Sequence, residues 1–292
     1  MSSSLSLTPG DHRRTIAIGG RERSYLLHVP PSYEDTQRLP VVLAFHGGAT
    51  DASYMVRFCG LNETADEHGF LVAYPNGTGE LPKLLSWNAG NCCGHARRNN
   101  VDDVEFVRAV LDELAHTGAI DERRIFATGM SNGAMMAYRL AAEMSDRVAA
   151  IAPVAGTMEL DIAEPSRPVS VIHFHGTADE FVPFAGGRGV RSLTQHAFSS
   201  VEITIRRWVE INGCRAEPTV TDLPNVGADG LPIVRQEYAA GPSGAEVVLY
   251  VVEGGGHTWP GRVPRLAALG PSTQSISAND LMWEFFTRHP PD

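Results

Sequence analysis

The sequence predicts an α/β protein whose central sheet is mostly parallel and has helices on both faces. Short, almost wholly apolar runs recur along the chain, for example at 39–45, 70–74 and 246–252. Such runs are typical of strands that are buried on both faces. Segments with apolar residues at helical spacing, for example 101–114, stand between the runs. This alternation indicates parallel strands joined by helices that cover the sheet.

Each predicted element has a local signal. A Gly19-Gly20 turn joins the first two strands as a hairpin. Acidic residues at 102–105 favour a helix start there, because carboxylates stabilise helix N-termini. Ser277 is placed to cap the closing helix. In chain order we predict strands at 15–18, 23–29 and 39–45, a helix at 52–68, a strand at 70–74, a helix at 101–114, a strand at 124–127, a helix at 134–143, strands at 148–154 and 169–175, a helix at 200–209, a two-stranded excursion at 219–223 and 232–238, a strand at 246–252 and a helix after 277.

Size and composition indicate one globular domain. The chain has 292 residues, of which 43% are hydrophobic and 20% charged. We expect a disordered N-terminal tail at 1–14 and a single α/β domain at 15–292. No apolar run approaches the roughly 20 residues of a membrane helix. A net charge of −10 is opposite to that of a nucleic-acid surface. We therefore expect neither a membrane nor a nucleic acid as partner.

The N-terminus has neither a basic region nor the apolar core of a secretory signal. This predicts a cytoplasmic protein, with secretion after removal of a leader as the alternative. Four cysteines, Cys59, Cys92, Cys93 and Cys214, show no zinc spacing and are too few for a disulfide scaffold. The adjacent Cys92 and Cys93 either bond to separate partners or stay reduced. The sequence makes no prediction of oligomeric state.

A Gly-x-Ser-x-Gly motif centred on Ser131 is the strongest chemical signal. The apolar segment 124–127 precedes it, and helix-forming residues follow it. Strand, tight turn and helix form the setting in which a nucleophilic serine projects from a sheet edge. The flanking Gly129 and Gly133 leave room at the turn, where a Cβ would collide with a neighbouring element.

Polar or glycine-rich groups follow several other predicted strands, at the edge where α/β sheets bind ligands. The order Ser131, Asp179, His257 is that of a serine hydrolase triad. A serine hydroxyl needs a base, and the base needs an orienting carboxylate. We therefore expect His257 to accept the serine proton and Asp179 to hold its imidazole. The amides of Gly48 and Asn132 would form the oxyanion hole.

Other side chains at this edge have competing interpretations. Trp87 and Trp259 either line a substrate pocket or pack in the core. His46 is expected to brace the oxyanion loop rather than take part in chemistry. His173 and His175 alternate along one strand and share a face, as two metal ligands do, but no third ligand has supporting spacing. We predict no metal and no cofactor.

Several motifs together resemble the esterase/polyhydroxybutyrate depolymerase family, which groups with the feruloyl and acetylxylan esterases of carbohydrate esterase family 1. They are Gly129-Met130-Ser131-Asn132-Gly133, His175-Gly176-Thr177-Ala178-Asp179 with Val182-Pro183, Gly255-Gly256-His257-Thr258-Trp259-Pro260-Gly261, Ser86-Trp87-Asn88-Ala89-Gly90 with Cys92-Cys93-Gly94, Val101-Asp102-Asp103-Val104, and Asn212-Gly213-Cys214. The resemblance extends from about residue 21 to 290. It implies an α/β-hydrolase fold and a cofactor-free serine esterase with the triad named above.

Two departures from that family shape the expected substrate. Many relatives carry a secretion signal, and depolymerases of solid polymer often carry a linker and a polymer-binding module; this chain has neither. We therefore expect small-molecule or oligomeric esters, feruloyl-type or short-acyl, with poly(3-hydroxybutyrate) or its oligomers as the alternative. A catalytically silent scaffold used for binding is the non-enzyme alternative.

Overall fold

One twisted sheet dominates the computed structural model, which describes residues 7–161, 164–227 and 229–289. In the described residues, ten strands follow the order β1-β2-β4-β3-β5-β6-β7-β10-β9-β8. The strands are β1 (Gly10–Ile18), β2 (Arg21–Val29), β3 (Leu39–Phe45), β4 (Leu71–Pro75), β5 (Ile120–Met130), β6 (Ala150–Val154), β7 (Ser170–Gly176), β8 (Thr219–Leu223), β9 (Ile233–Tyr238) and β10 (Val247–Val252). The helices are α1 (Ala52–Cys59), α2 (Leu61–His68), α3 (Gly94–Arg98), α4 (Asp103–His116), α5 (Asn132–Glu143), α6 (Val201–Ile211) and α7 (Ala278–Arg288), with a short 3₁₀ turn at Ala267–Leu269.

The centre of the sheet is parallel, as predicted. Strands β4, β3, β5, β6, β7 and β10 pair in parallel, and antiparallel pairs extend both edges. The predicted excursion of β8 and β9 is part of this sheet, because β9 pairs with β10 from Ile233 to Tyr238. The strand order changes direction at β3: β4 lies on one side of it, and β5, the next strand along the chain, lies on the other side. Ligand sites of open α/β sheets lie at such a reversal.

Two apolar cores, one on each face, hold the helices to the sheet. Strand β3 illustrates the division: Leu43 and Phe45 belong to one core, and Val42 and Ala44 belong to the other. Helices α4, α5 and α6 bury their apolar sides in the first core. Helices α1, α2 and α7 do so in the second. Removing this apolar surface from water is the main favourable term in folding, so the cores fix where the strand ends lie.

The helix predicted at 52–68 is two helices, α1 and α2. Gly60 separates them with a left-handed φ of 62° and donates its amide to Val56 as a C-cap. Glycine adopts this conformation without a Cβ penalty, so a sequence that keeps helical spacing on both sides still breaks there. Asp51 caps the start of α1 by accepting from the Tyr54 amide.

The N-terminal boundary also differs from the expectation. Strand β1 begins at Gly10 and pairs with β2 along its whole length. The assignment of residues 10–14 to a disordered tail was therefore wrong, since their backbone groups are hydrogen-bonded in the sheet; residues 1–6 lie outside the described residues. Among the described helices, none has the length and apolar character needed to cross a bilayer.

Candidate active site

Ser131 occupies a strained turn between β5 and α5. Its φ of 58° and ψ of −121° are unusual for a residue with a side chain. Such strain persists only where the surroundings over-determine it. A Cβ on Gly129 would lie 2.5 Å from Gly133 carbonyl atoms, and one on Gly133 would lie 2.2 Å from the Phe45 oxygen. Both glycines therefore permit the close approach of β3, β5 and α5 that fixes the turn.

The loop after β3 lies directly against this turn. A Cβ built on Gly47 would be 3.6 Å from Ser131 Cβ, and one on Gly48 would be 3.8 Å from Asn132 Cβ. Asn132 is the first residue of α5, so its amide has no acceptor within the helix. The partial positive charge of a helix N-terminus favours an anion at this point. The structure thus brings Gly48 and Asn132, the two residues expected to form an oxyanion hole, close to each other beside Ser131.

His46 braces the loop after β3, which contains Gly47 and Gly48, through both ring nitrogens. Nδ1 lies 2.8 Å from the Gly47 oxygen, and Nε2 lies 3.0 Å from the Gly77 nitrogen. Since a carbonyl only accepts and an amide only donates, Nδ1 carries the proton and Nε2 is bare. Burial lowers the pKa of His46 to about 4. The ring is therefore neutral at ordinary pH and joins the β3 loop to the segment after β4.

This assignment predicts how stability depends on pH. The unfolded chain protonates His46 near its usual pKa of about 6.5, whereas the folded chain does so only near pH 4. Neutral His46 therefore contributes to the free energy of unfolding above the unfolded pKa, and this contribution is lost as pH falls from about 6.5 towards 4. We expect the melting temperature of His46→Gln to depend less on pH across this window than that of the wild type. Parallel curves for the two proteins would contradict a neutral, buried His46.

Asp179 and His257 meet at the ends of β7 and β10, which are parallel neighbours. His257 Nδ1 lies 2.7 Å from Asp179 Oδ2. The other carboxylate oxygen, Oδ1, accepts from the amides of Phe181 at 2.8 Å and Val182 at 2.9 Å. Because the carboxylate accepts, the proton of His257 is on Nδ1, and Nε2 is left to act as a base.

The environment keeps Asp179 ionised although it is buried. Burial alone would raise the pKa of this carboxyl, but the opposing interactions with His257, His175 and the Val182 amide outweigh it. The pKa of Asp179 therefore lies below its usual value. A carboxylate that is charged at neutral pH is what an orienting partner of a general base requires.

Ser131 and His257 line one pocket of about 150 Å³. Gly48 and Asn132 also line it, so the pocket contains the candidate nucleophile, base and oxyanion donors. Most of its remaining wall is apolar or aromatic: Tyr54, Met55, Phe58, Met130, Met135, Phe181, Val182, Leu193, Phe198 and Leu269. A concave apolar site with a few convergent polar groups is the usual form of a small-molecule pocket.

Neither tryptophan lines this pocket. Trp87 is completely buried, and its Nε1 donates to the His46 oxygen at 2.9 Å. Its backbone amide donates to Asn132 Oδ1 at 2.7 Å. Trp87 therefore holds together the end of β3 at His46 and the start of α5 at Asn132. Trp259 is 1% exposed and donates to Asn279. Both tryptophans therefore lie in the interior, and neither is part of the wall of this pocket.

The paired histidines of β7 contact each other and not a metal site. His173 Nε2 lies 3.1 Å from His175 Nδ1, and the other ring nitrogens bond to the Tyr138 hydroxyl and the Val182 oxygen, so all four nitrogens have hydrogen-bond partners. No cluster of three or more histidine, cysteine or acidic side chains within residues 7–161, 164–227 and 229–289 could hold a metal ion. The geometry therefore offers no support for the metal-ligand interpretation of this pair.

Cys92 and Cys93 form a disulfide with each other, whereas Cys59 and Cys214 are free. Pairing of adjacent cysteines was not among the alternatives drawn from the sequence. Cys93 lines the active-site pocket on the side of Gly48. The disulfide therefore forms part of the wall around the candidate nucleophile.

Phe181 and Phe198 are pocket residues that the sequence analysis missed. The Phe181 ring stacks on His257 with centroids 4.9 Å apart. Its position two residues after Asp179 is a local signal that could have identified it. Phe198 enters from the segment before α6. Nothing in the local sequence distinguishes it from a core phenylalanine.

The sheet order and the serine at the turn between β5 and α5 identify an α/β-hydrolase. The chain belongs to the family described as "Esterase PHB depolymerase", whose model matches residues 23–183. The protein is thus an esterase, and the interpretation as a catalytically silent scaffold loses its support.

Named relatives are esterases as well. The chain is 33% identical over 285 residues to a putative esterase, NocK, of Nocardia uniformis subsp. tsuyamanensis, covering 93% of this chain and 81% of that protein. It is 27% identical to feruloyl esterase D of Neurospora crassa, covering 94% and 84% of the two chains. It is 27% identical to feruloyl esterase B of Piromyces equi, covering 80% of this chain but only 42% of that protein. The structure of an acetyl xylan esterase from Aspergillus awamori superposes with a TM-score of 0.62, covering 95% and 99% of the chains; at 16% identity this supports the fold.

Proposed function

We propose that this esterase hydrolyses feruloyl-type or short-acyl carboxylic esters through an acyl-enzyme on Ser131. One observation carries the proposal: a strained serine shares a pocket with His257, whose Nδ1 is held 2.7 Å from a buried carboxylate. A hydroxyl that is a poor nucleophile gains a base, and the base gains an orienting partner.

In the first half-reaction, His257 Nε2 takes the hydroxyl proton as Ser131 Oγ attacks the ester carbonyl. Asp179 stabilises the imidazolium that forms. The amides of Gly48 and Asn132 donate to the oxyanion of the tetrahedral intermediate; one such donor typically contributes about 3 kcal/mol of transition-state stabilisation. Collapse of the intermediate breaks the ester C–O bond, and His257 gives its proton to the leaving alcohol.

In the second half-reaction, a water molecule replaces the alcohol. His257 removes a proton from the water as its oxygen attacks the acyl carbon. The second tetrahedral intermediate uses the same two amides, and its collapse returns the proton to Ser131 and releases the acid. Neither half-reaction requires a cofactor.

The pocket wall supports an apolar acyl group. Phe58, Phe181 and Phe198 line the same cavity as Ser131. Aromatic side chains bind flat or aliphatic groups by burial of apolar area. A feruloyl ring and a short acyl chain both satisfy this chemistry. The alternative, 3-hydroxybutyrate oligomers or polymer, draws its support from the description of the family model.

A substrate panel tests this proposal. We expect the wild type to hydrolyse methyl ferulate, p-nitrophenyl acetate or p-nitrophenyl butyrate with a higher kcat/KM than 3-hydroxybutyrate oligomers. The reverse preference would favour the depolymerase alternative. Hydrolysis of none of these esters by a folded protein would contradict both.

Location is a separate part of the proposal. A cytoplasmic protein is the prediction from the sequence, and secretion after removal of a leader is the alternative. Fractionation of the producing cells would distinguish the two.

A further inference from the structure

Three buried titratable side chains form a hydrogen-bonded chain behind the candidate triad. Tyr138 Oη lies 2.8 Å from His173 Nδ1. His173 Nε2 lies 3.1 Å from His175 Nδ1. His175 Nε2 lies 2.8 Å from the Val182 oxygen. None of the three side chains is more than 2% exposed, and the proposed mechanism uses none of them.

The Val182 carbonyl, which is the last acceptor in this series of hydrogen bonds, fixes the direction of every bond in the series. The Val182 carbonyl can only accept, so His175 carries a proton on Nε2. Burial lowers the pKa of both histidines, so each ring is neutral and has one proton. His175 Nδ1 is therefore an acceptor, and His173 must donate to it from Nε2. His173 Nδ1 then accepts from the Tyr138 hydroxyl, which donates.

The chain ends on the loop that carries Asp179. Val182 accepts from His175 through its carbonyl and donates its amide to Asp179 Oδ1 at 2.9 Å. His175 Nε2 also lies 3.5 Å from Asp179 Oδ2, the oxygen that accepts from His257. A donor beside a buried carboxylate stabilises its charge and restricts its orientation.

We propose that Tyr138, His173 and His175 are positioning residues that hold the Asp179 loop in register with His257. This inference rests on the proposed function, because it assigns Asp179 and His257 to the triad. Tyr138 has a defined part in it. Without its hydroxyl, the buried Nδ1 of His173 loses its donor, and the ring is held less firmly where its Nε2 donates to His175. His175 is then less firmly held as the donor to the Val182 oxygen.

A split between kcat and KM separates positioning from simple packing. Loss of the donor lets Asp179 leave its alignment with His257 Nδ1, the atom that lies 2.7 Å from its Oδ2 in the native structure. Because Asp179 and His175 do not line the pocket, this lowers kcat but leaves substrate binding unchanged.

The experiment compares His175→Leu, His175→Gln and wild type on the ester that is hydrolysed fastest. For His175→Leu we expect kcat to fall about tenfold and KM to change little. His175→Gln should recover most of kcat, because its amide can still donate to the Val182 oxygen. His28→Leu is the matched control, since it removes another buried histidine, one that pairs with Asp11 and Asp66 away from the pocket; it should keep wild-type kcat.

A folded His175→Leu with wild-type kcat would overturn the proposal, as would a glutamine variant no faster than the leucine variant. If His175→Leu does not fold, Tyr138→Phe provides the test, with a lower kcat and unchanged KM expected and wild-type kinetics contradicting. Ser131→Ala is assayed alongside. Full activity of Ser131→Ala would contradict the proposed function itself. An inactive Ser131→Ala together with wild-type kcat for His175→Leu would contradict only this inference.

Discussion

Ser131→Ala is expected to lower kcat by about 10⁴-fold or more while leaving the fold intact. The alanine cannot form the acyl bond, so only the oxyanion donors and substrate binding remain to assist attack by water. The turn itself should survive, because Gly129 and Gly133 provide its clearance. The relevant measurements are kcat and KM on the best ester of the panel, with the melting temperature as a check of folding.

Ser145→Ala is the control for this experiment. Ser145 is buried, whereas Ser131 is partly exposed; Ser145 Oγ lies 2.9 Å from Ser166 Oγ, and Ser145 does not line the pocket. The change should leave kcat near the wild-type value. A folded Ser131→Ala that retains more than about a tenth of wild-type kcat would contradict the assignment of the nucleophile.

Asp179→Asn is expected to lower kcat by about 10⁴-fold with little change in KM. Asparagine can offer its NH₂ to His257 Nδ1, which then accepts, so the proton moves to Nε2. In that tautomer the imidazole faces Ser131 with a proton and cannot act as its base. The shape of the loop is kept, because the asparagine oxygen can still accept from the Phe181 and Val182 amides.

Asp11→Asn provides an unusually close control. Asp11 Oδ1 lies 2.7 Å from His28 Nδ1, the same separation as in the Asp179–His257 pair, but between β1 and β2 at the sheet edge. If a general loss of an Asp–His contact explained the effect, both variants would slow. We expect Asp11→Asn to keep wild-type kcat, and an Asp179→Asn variant within tenfold of wild type would contradict the role assigned to this carboxylate.

The local parts of the site were predictable from the sequence because each has a nearby signal. Ser131 lies between two glycines, and the turn leaves no room for a Cβ at either position. Asp179 and His257 follow apolar runs that are typical of buried strands, and parallel strands bring their carboxyl ends to one edge. The structure brings these three residues together in the predicted order, although their catalytic roles remain proposals.

Features that depend on tertiary contact were not predictable in the same way. The size of Trp87 and Trp259 does not reveal which side of a loop they face, and both lie in the interior. The alternation of His173 and His175 correctly placed them on one face. Their partner Tyr138, however, comes from α5, 35 residues before His173, and no spacing rule connects them. A bond between the adjacent Cys92 and Cys93 likewise has no distinguishing signal in the sequence.

The most direct test of the central claim is covalent labelling of the native protein by a fluorophosphonate, followed by peptide mass spectrometry. The strained turn, His257 and the oxyanion amides together predict stoichiometric labelling on Ser131, with loss of esterase activity in proportion to the label. His257→Gln should label far more slowly. Labelling of another residue, or no labelling of a folded and active esterase, would contradict Ser131 as the nucleophile.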